Sequence, residues 1–200
     1  LWTGLPQLLV IPLVPVLLRK ADPRWMAAAG LFLVALSSYA NSQLSLDFGG
    51  EQLTHTLLIR AIGQPLVMVT SSLICMAYLM PKDVGSGSSL YNVLRNLGGA
   101  VGIALLASLI DNRTKTYFDY LREAVIPGNP QVAERITLLT EKLGSETAAL
   151  GKISEITHQQ AQIMAFNDAF LAIAIGVSIS LICILLTKKL PANASSEPVH

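Results

Sequence analysis

The stretch that decides the fold runs from residue 89 to residue 110 and reads SLYNVLRNLGGAVGIALLASLI. It is long and apolar enough to cross the hydrocarbon core of a bilayer, which takes about 20 residues. Yet Asn92, Arg95 and Asn96 precede its run of glycines. A charge at membrane depth costs several kcal/mol and is usually found facing a bundle interior or a watery cavity. The role of these polar residues therefore depends on what surrounds the helix.

The composition favours a membrane protein. Of 200 residues, 52% are apolar and only 14% are charged, and the net charge is +1. A soluble domain of this size is richer in charge, and no basic surface for nucleic acid is visible. Cys75 and Cys183 each lie in an apolar run, without the spacing of a disulfide framework or a metal site. We therefore expect no cofactor and no metal.

Five apolar segments are predicted to span the membrane, and their apolar residues run all round the helix. Together they predict an all-α transmembrane bundle. We expect residues 1–110 to hold four spans, the first cut short, because the chain begins inside an apolar run without a signal peptide. We therefore expect the C-terminal piece of a longer protein. The five segments are residues 1–18, 25–44, 56–80, 89–110 and 169–187.

The connections predict the orientation. Short basic connections belong on the cytoplasmic side, and the Lys and Arg residues concentrate after the first and the last span. The C-terminal tail, residues 188–200, is then cytoplasmic, and residues 111–168 form an extracytoplasmic loop. In that loop we predict short amphipathic helices, with Gly144 as a helix stop and Ser145 as an N-cap. The loop is either a lid on its own bundle or a docking surface for an extracytoplasmic partner.

Two predicted spans carry polar side chains on one face. Gln64 lies four residues after Arg60, and Asn92, Arg95 and Asn96 share one side of the next span. Either arginine could instead snorkel to the nearer membrane surface, so both interpretations stay open. Candidates for the substrate path or gate are Arg60, Gln64, Asn92, Arg95 and Asn96.

Small residues near these polar groups are candidates for helix packing. Gly98 and Gly102 form a small-xxx-small pair, which lets a neighbouring helix approach closely. Pro65 removes a backbone donor and is expected to bend its helix. The packing candidates are Gly63, Pro65, Gly98, Gly99 and Gly102.

The connection after the first span is densely charged. It either anchors the cytoplasmic side or acts as a charge lock that holds two helices in one state. Its charged residues are Arg19, Lys20, Asp22 and Arg24.

Three motifs in this order resemble a known family. They are RAIGQP at residues 60–65, GSGSSLYNVLRNLGGAVGIAL at 85–105 and QAQIMAFNDAF at 160–170. Over essentially its whole length the chain resembles the last five helices of the fourteen-helix drug:proton antiporters, the EmrB/QacA branch of the major facilitator superfamily. The charged connection stands where that superfamily has a conserved cytoplasmic loop, but the glycine expected before Asp22 is missing.

The resemblance implies proton-driven export of hydrophobic compounds by alternating access in a bacterial inner membrane. It also implies a missing N-terminal half that holds the coupling carboxylates, since no Asp or Glu lies within the predicted spans here. Further implied partners are membrane lipid, protons, a periplasmic adaptor and an outer-membrane channel. The alternatives are an exporter of one lipid or metabolite, a non-transporting scaffold, and a membrane enzyme, for which no HExxH or paired carboxylates are present.

The substitutions Asn92→Leu and Asn96→Leu test the polar face of the fourth span. We expect each to reduce export by the complete protein more than it reduces insertion, because leucine fits lipid but cannot line a watery path. The measurement compares drug resistance with the amount of protein in the membrane. Wild-type resistance in both variants would contradict the prediction.

Overall fold

The computed structural model describes residues 7, 9–18, 21–43, 50–77, 79–124 and 130–186. Arg19, Lys20 and the predicted tail at 188–200 lie outside these residues. Within the described residues every regular element is a helix, which confirms the predicted all-α fold. The elements are α1 (Leu13–Leu18), α2 (Pro23–Asn41), α3 (Gly50–Met76), a 3-10 turn (Pro81–Asp83), α4 (Val84–Ala124), α5 (Pro130–Leu143) and α6 (Glu146–Leu186).

Three stretches of the described chain are long and apolar enough to cross a membrane. They are Thr54–Met76 in α3, Pro81–Glu123 in the 3-10 turn and α4, and Glu146–Leu186 in α6. The other predicted spans correspond to α1 and α2, which have 6 and 19 residues in the described chain. The transmembrane character is thus supported by three helices. The total of five spans and their orientation stay predictions.

Helices α4 and α6 differ from the predicted boundaries. Each has 41 residues, which makes it about 60 Å long, twice the thickness of the hydrocarbon core at about 30 Å. Both therefore continue far into residues 111–168, where α5 is the one separate helix of the described chain. Hydropathy marks where a chain leaves the lipid, whereas the hydrogen bonding of a helix can continue beyond that point. Residues 111–124 contain no Pro or Gly that would weaken α4 there.

Two compact units divide the described helices. The first contains α1, α2, α3, the part of α4 up to Ile103 and the part of α6 from Phe170. The second contains the rest of α4, helix α5 and α6 up to Ala169. Each long helix therefore contributes one part to each unit.

In the first unit, α2 packs on α3 at two glycines. A Cβ added to Gly30 would lie 2.9 Å from the carbonyl oxygen of Gly63, and one added to Gly63 would lie 2.8 Å from the carbonyl oxygen of Gly30. Side-chain carbons essentially never come this close to a carbonyl oxygen. The two backbones therefore touch directly, as small residues allow in membrane bundles. Met26, Ala27 and Leu31 are buried on α2.

Several polar side chains of α2 and α3 are buried, and two of them donate hydrogen bonds to main-chain carbonyl oxygens. The Ser37 hydroxyl donates to the carbonyl oxygen of Thr56 at 2.8 Å, which joins α2 to α3. Thr70 is fully buried and its hydroxyl donates to the carbonyl oxygen of Leu66, one turn earlier in α3. Helix α3 also continues through the buried Pro65. These bonds satisfy polar atoms that would otherwise cost about 1–3 kcal/mol each.

In the second unit, the end of α5 confirms one predicted boundary. Gly144 follows the helix with φ of +72°, and its amide donates to the carbonyl oxygen of Thr140 at 2.8 Å. A residue with this backbone angle after the last turn is usually glycine, which has no Cβ to clash. Helix α6 then begins at Glu146, directly after Ser145.

The substitution Gly63→Ala tests the contact between α2 and α3. We expect it to lower the free energy of unfolding by about 1–3 kcal/mol, because the new Cβ meets backbone that cannot rotate away. Unfolding of the complete protein by SDS in mixed micelles, followed by circular dichroism, measures the change.

Gly176→Ala is the matched control. Gly176 lies within α6, and a Cβ added there meets nothing within 4 Å. This variant should be unchanged or more stable by about 0.5–1 kcal/mol, because glycine is a poor helix former. Equal stability of the two variants would contradict the close contact at Gly63.

Candidate functional site

Arg60 and Gln64 lie on α3 beside its contact with α2. Arg60 is partly buried and Gln64 is exposed, whereas Gly63 and Pro65 are buried. The glycine next to Gln64 thus faces α2, while the amide of Gln64 does not. Helix α3 therefore uses its small residues for packing and leaves the Gln64 side chain accessible.

The polar face of α4 is open. Asn92, Arg95 and Asn96 are all exposed. The described structure records neither a hydrogen bond nor an ion pair for these three side chains, and none that joins them to Arg60 or Gln64. The two predicted halves of the site are therefore not brought into direct contact in the described chain.

The glycines that follow this face are open as well. A Cβ added to Gly98, Gly99 or Gly102 would meet no atom within 4 Å. Their predicted role in helix packing therefore stays a prediction. The same holds for Pro65 as the cause of a bend.

The charged connection has one contact between helices in the described chain. The carbonyl oxygen of Asp22 accepts the amides of Trp25 and Met26 at 3.0 and 3.3 Å, so Asp22 starts α2, with Pro23 in the first turn. Nη2 of Arg24 donates to the carbonyl oxygen of Leu185 in the last turn of α6 at 2.7 Å. A cation is favoured there, because the carbonyl groups at a helix C-terminus carry partial negative charge. The proposed charge lock remains untested.

A carboxylate in the second unit has two side-chain partners that the sequence pattern does not predict. Oδ2 of Asp168 accepts a hydrogen bond from the Tyr117 hydroxyl at 2.9 Å and forms an ion pair with Nε of Arg113 at 3.2 Å. The Asp168 side chain is 29% exposed and that of Arg113 is 51% exposed. The only hint in the sequence is that Arg113 and Tyr117 lie four residues apart, on one side of α4. We call Arg113, Tyr117 and Asp168 the Asp168 cluster.

Beyond the Asp168 cluster, α4 and α6 leave a small cavity in the second unit. Its volume is about 320 Å³, and its lining includes Phe118, Arg122 and Ile153. The ring of His158 meets Phe118 edge to face, with 5.6 Å between ring centroids. Among the described residues no group of His, Cys, Asp and Glu could hold a metal ion.

A double-mutant cycle with Tyr117→Phe and Asp168→Asn tests the Asp168 cluster. We expect a coupling energy of about 1–2 kcal/mol, since this hydrogen bond reaches a charged and largely buried acceptor. The control cycle uses the pair between Lys115 and Asp111, 2.6 Å apart on α4 with side chains 69% and 64% exposed. That pair should couple by less than about 0.5 kcal/mol. Thermal unfolding of the complete protein and its variants measures the coupling energy in both cycles. Equal coupling energies for the two pairs would contradict the prediction.

Sequence comparisons find relatives that are named as resistance, export or transporter proteins. The colistin resistance protein EmrB of Acinetobacter baumannii is 29% identical over 86% of this chain and 35% of its own length. The multidrug export protein EmrB of Escherichia coli K12 is 25% identical over 96% and 37%. The MFS-type transporter YhcA of Bacillus subtilis is 26% identical over 82% and 33%. No protein-family model matches the chain.

These matches cover most of the chain but only part of each relative. The chain spans about a third of the length of the curated relatives it matches. The helices that are apolar enough to cross a membrane agree with these matches. The resemblance stated from the motifs is thereby confirmed: over most of its length the chain is similar to EmrB-type transporters of the major facilitator superfamily.

Proposed function

We propose that the chain is the C-terminal part of a multidrug exporter of the bacterial inner membrane, which works by alternating access and is driven by protons. The observation that carries the proposal is the uncovered polar face of α4. Asn92, Arg95 and Asn96 are exposed there, within a stretch apolar enough to cross a membrane. Polar groups left to lipid would be costly, so this face is expected to meet water or another part of the protein.

The second part of the proposal concerns α3. Gln64 is exposed beside the packed Gly63, so an amide is available at the depth of a predicted span. Arg60 lies one turn away and is partly buried. We propose that Arg60 and Gln64 join the face of α4 in lining or gating the path. Hydrophobic substrates would move along a path with so few polar groups without forming strong hydrogen bonds to it.

The proposal also includes parts of the transporter that lie outside this chain. The surface that faces these polar groups, and the carboxylate that carries the proton, would come from the N-terminal half of the same chain. A proton carrier at membrane depth needs a pKa near the working pH, and no Asp or Glu lies in the predicted spans here. The C-terminus would be cytoplasmic. A periplasmic adaptor and an outer-membrane channel would contact the part outside the membrane.

Inverted membrane vesicles that contain the complete protein test the transport function. With a lumen acidified by respiration, we expect uptake of ethidium, because inversion turns export into uptake. A protonophore should release the dye. Uptake that persists without a pH gradient would overturn the proton coupling, and its absence under all conditions would overturn the export function itself.

The path is tested in the same vesicles with single cysteines, after Cys75 and Cys183 and any other cysteines are replaced by serine. We expect an impermeant maleimide to modify Asn96→Cys and stop uptake, and ethidium to slow the modification. The reason is that only a thiolate reacts, and thiolates form where water reaches.

Leu97→Cys is the matched control on the other side of α4. In lipid or in a packed helix contact its thiol stays protonated, so it should react slowly and without effect on uptake. Equal modification of the two cysteines would show that the polar face lines no path. It would favour the alternative that Arg95 only snorkels to the surface.

A further inference from the structure

An apolar groove lies between α2 and α6 in the first unit, and the proposed transport function does not use it. Its volume is about 520 Å³. The side chains on its rim are well exposed, at 58% for Phe32 and 57% for Ile179. The buried Ala174, 6% exposed, forms a low floor between them. The groove is therefore an open trough with room for a chain of hydrocarbon.

The lining of this groove includes one serine, Ser178, whose hydroxyl already has a hydrogen-bond acceptor. The Ser178 hydroxyl donates to the carbonyl oxygen of Ala174 at 2.7 Å, so its hydrogen-bonding need is met inside the helix. The other side chains of the lining are apolar apart from that of Tyr39. Since α6 is long and apolar enough to cross a membrane, the groove is expected to open to acyl chains.

One end of the same helix pair carries a positive charge. Arg24 stands in the first turn of α2 and bonds the carbonyl oxygen of Leu185, which lies three residues after the groove residue Ile182. Within the described residues no carboxylate lies within 4.0 Å of its guanidinium, and its buried Nε has no acceptor. Arg24 therefore forms no ion pair with a carboxylate of the described residues.

Neighbouring features fit a lipid headgroup at this end. Trp25 follows Arg24 and is 68% exposed, and tryptophan is enriched at the level of the headgroups. Phe32 begins the groove eight residues after Arg24, about 12 Å along α2. One leaflet of the hydrocarbon core is about 15 Å deep. An acyl chain whose phosphate is at Arg24 therefore reaches the groove.

We propose that the groove between α2 and α6 holds one acyl chain of an anionic phospholipid whose phosphate binds Arg24. Guanidinium is suited to phosphate, because its N–H groups form a fixed fork. A zwitterionic lipid is less favoured, since its headgroup carries no net negative charge to balance that of Arg24. Basic pockets between membrane helices commonly bind anionic headgroups. This site would exist whether or not the protein exports drugs.

Native mass spectrometry of the complete protein tests the proposal with dioleoyl phosphatidylglycerol and, as a comparison, dioleoyl phosphatidylcholine. On the wild type we expect one phosphatidylglycerol to be retained in preference to phosphatidylcholine. Arg24→Gln should weaken phosphatidylglycerol binding about tenfold or more, because a charged hydrogen bond is lost. Lys115→Gln removes the same charge from an exposed side chain of α4 and should leave binding unchanged.

Ala174→Phe tests the groove without touching Arg24, and Ala100→Phe on the exposed side of α4 is its control. We expect the first substitution to fill the trough and reduce the retained lipid, and the second to have no effect. Equal retention of the two lipids by the wild type would overturn the proposal, and so would full retention by Arg24→Gln. Full retention by Ala174→Phe together with lower thermal stability would show that a protein segment occupies the groove, which also overturns it.

Discussion

The contact between Gly30 and Gly63 is the constraint on which the first unit depends. Lipid gives two helices no hydrophobic reason to associate, so close backbone packing and hydrogen bonds between helices must hold them. At these glycines the backbones touch, and the bond from Ser37 to the carbonyl oxygen of Thr56 lies along the same pair of helices. This packing fixes which side of α3 faces α2. It thereby leaves the side chain of Gln64 accessible.

The polar side chains of the long helices differ in whether they have partners. Near the C-terminus of α6, the guanidinium of Arg24 donates to the carbonyl oxygen of Leu185. At the start of the apolar part of α6, the carboxylate of Asp168 accepts a hydrogen bond from Tyr117 and pairs with Arg113. In the first third of α4, Asn92 and Asn96 are exposed and have no hydrogen-bond partner in the described chain. Polar groups that serve only stability are normally satisfied where they lie. The open face is thus the part of the chain that needs a further explanation.

The sequence predicts the helices themselves well, because twenty apolar residues in a row leave few alternatives, and it predicts the stop at Gly144 from one residue type. It does not predict that α4 continues to Ala124, since the end of an apolar run marks the membrane surface and not the end of hydrogen bonding along the helix. It also misses the Asp168 cluster, whose members Tyr117 and Asp168 are 51 residues apart. The bond of Arg24 to Leu185 has no sequence signal, because every residue has a carbonyl oxygen.

Asn92 and Asn96 are stronger evidence than Arg95 that the polar face of α4 meets water or protein. An arginine within a span has a long apolar stem, so it can place its charge at the membrane surface while its backbone stays in lipid. The side chain of an asparagine is too short to do so, and its amide remains at the depth of its own backbone. Snorkelling therefore accounts for Arg95 alone. It leaves Asn92 and Asn96, one turn apart on the same face, to be satisfied by water or by protein from outside the described residues.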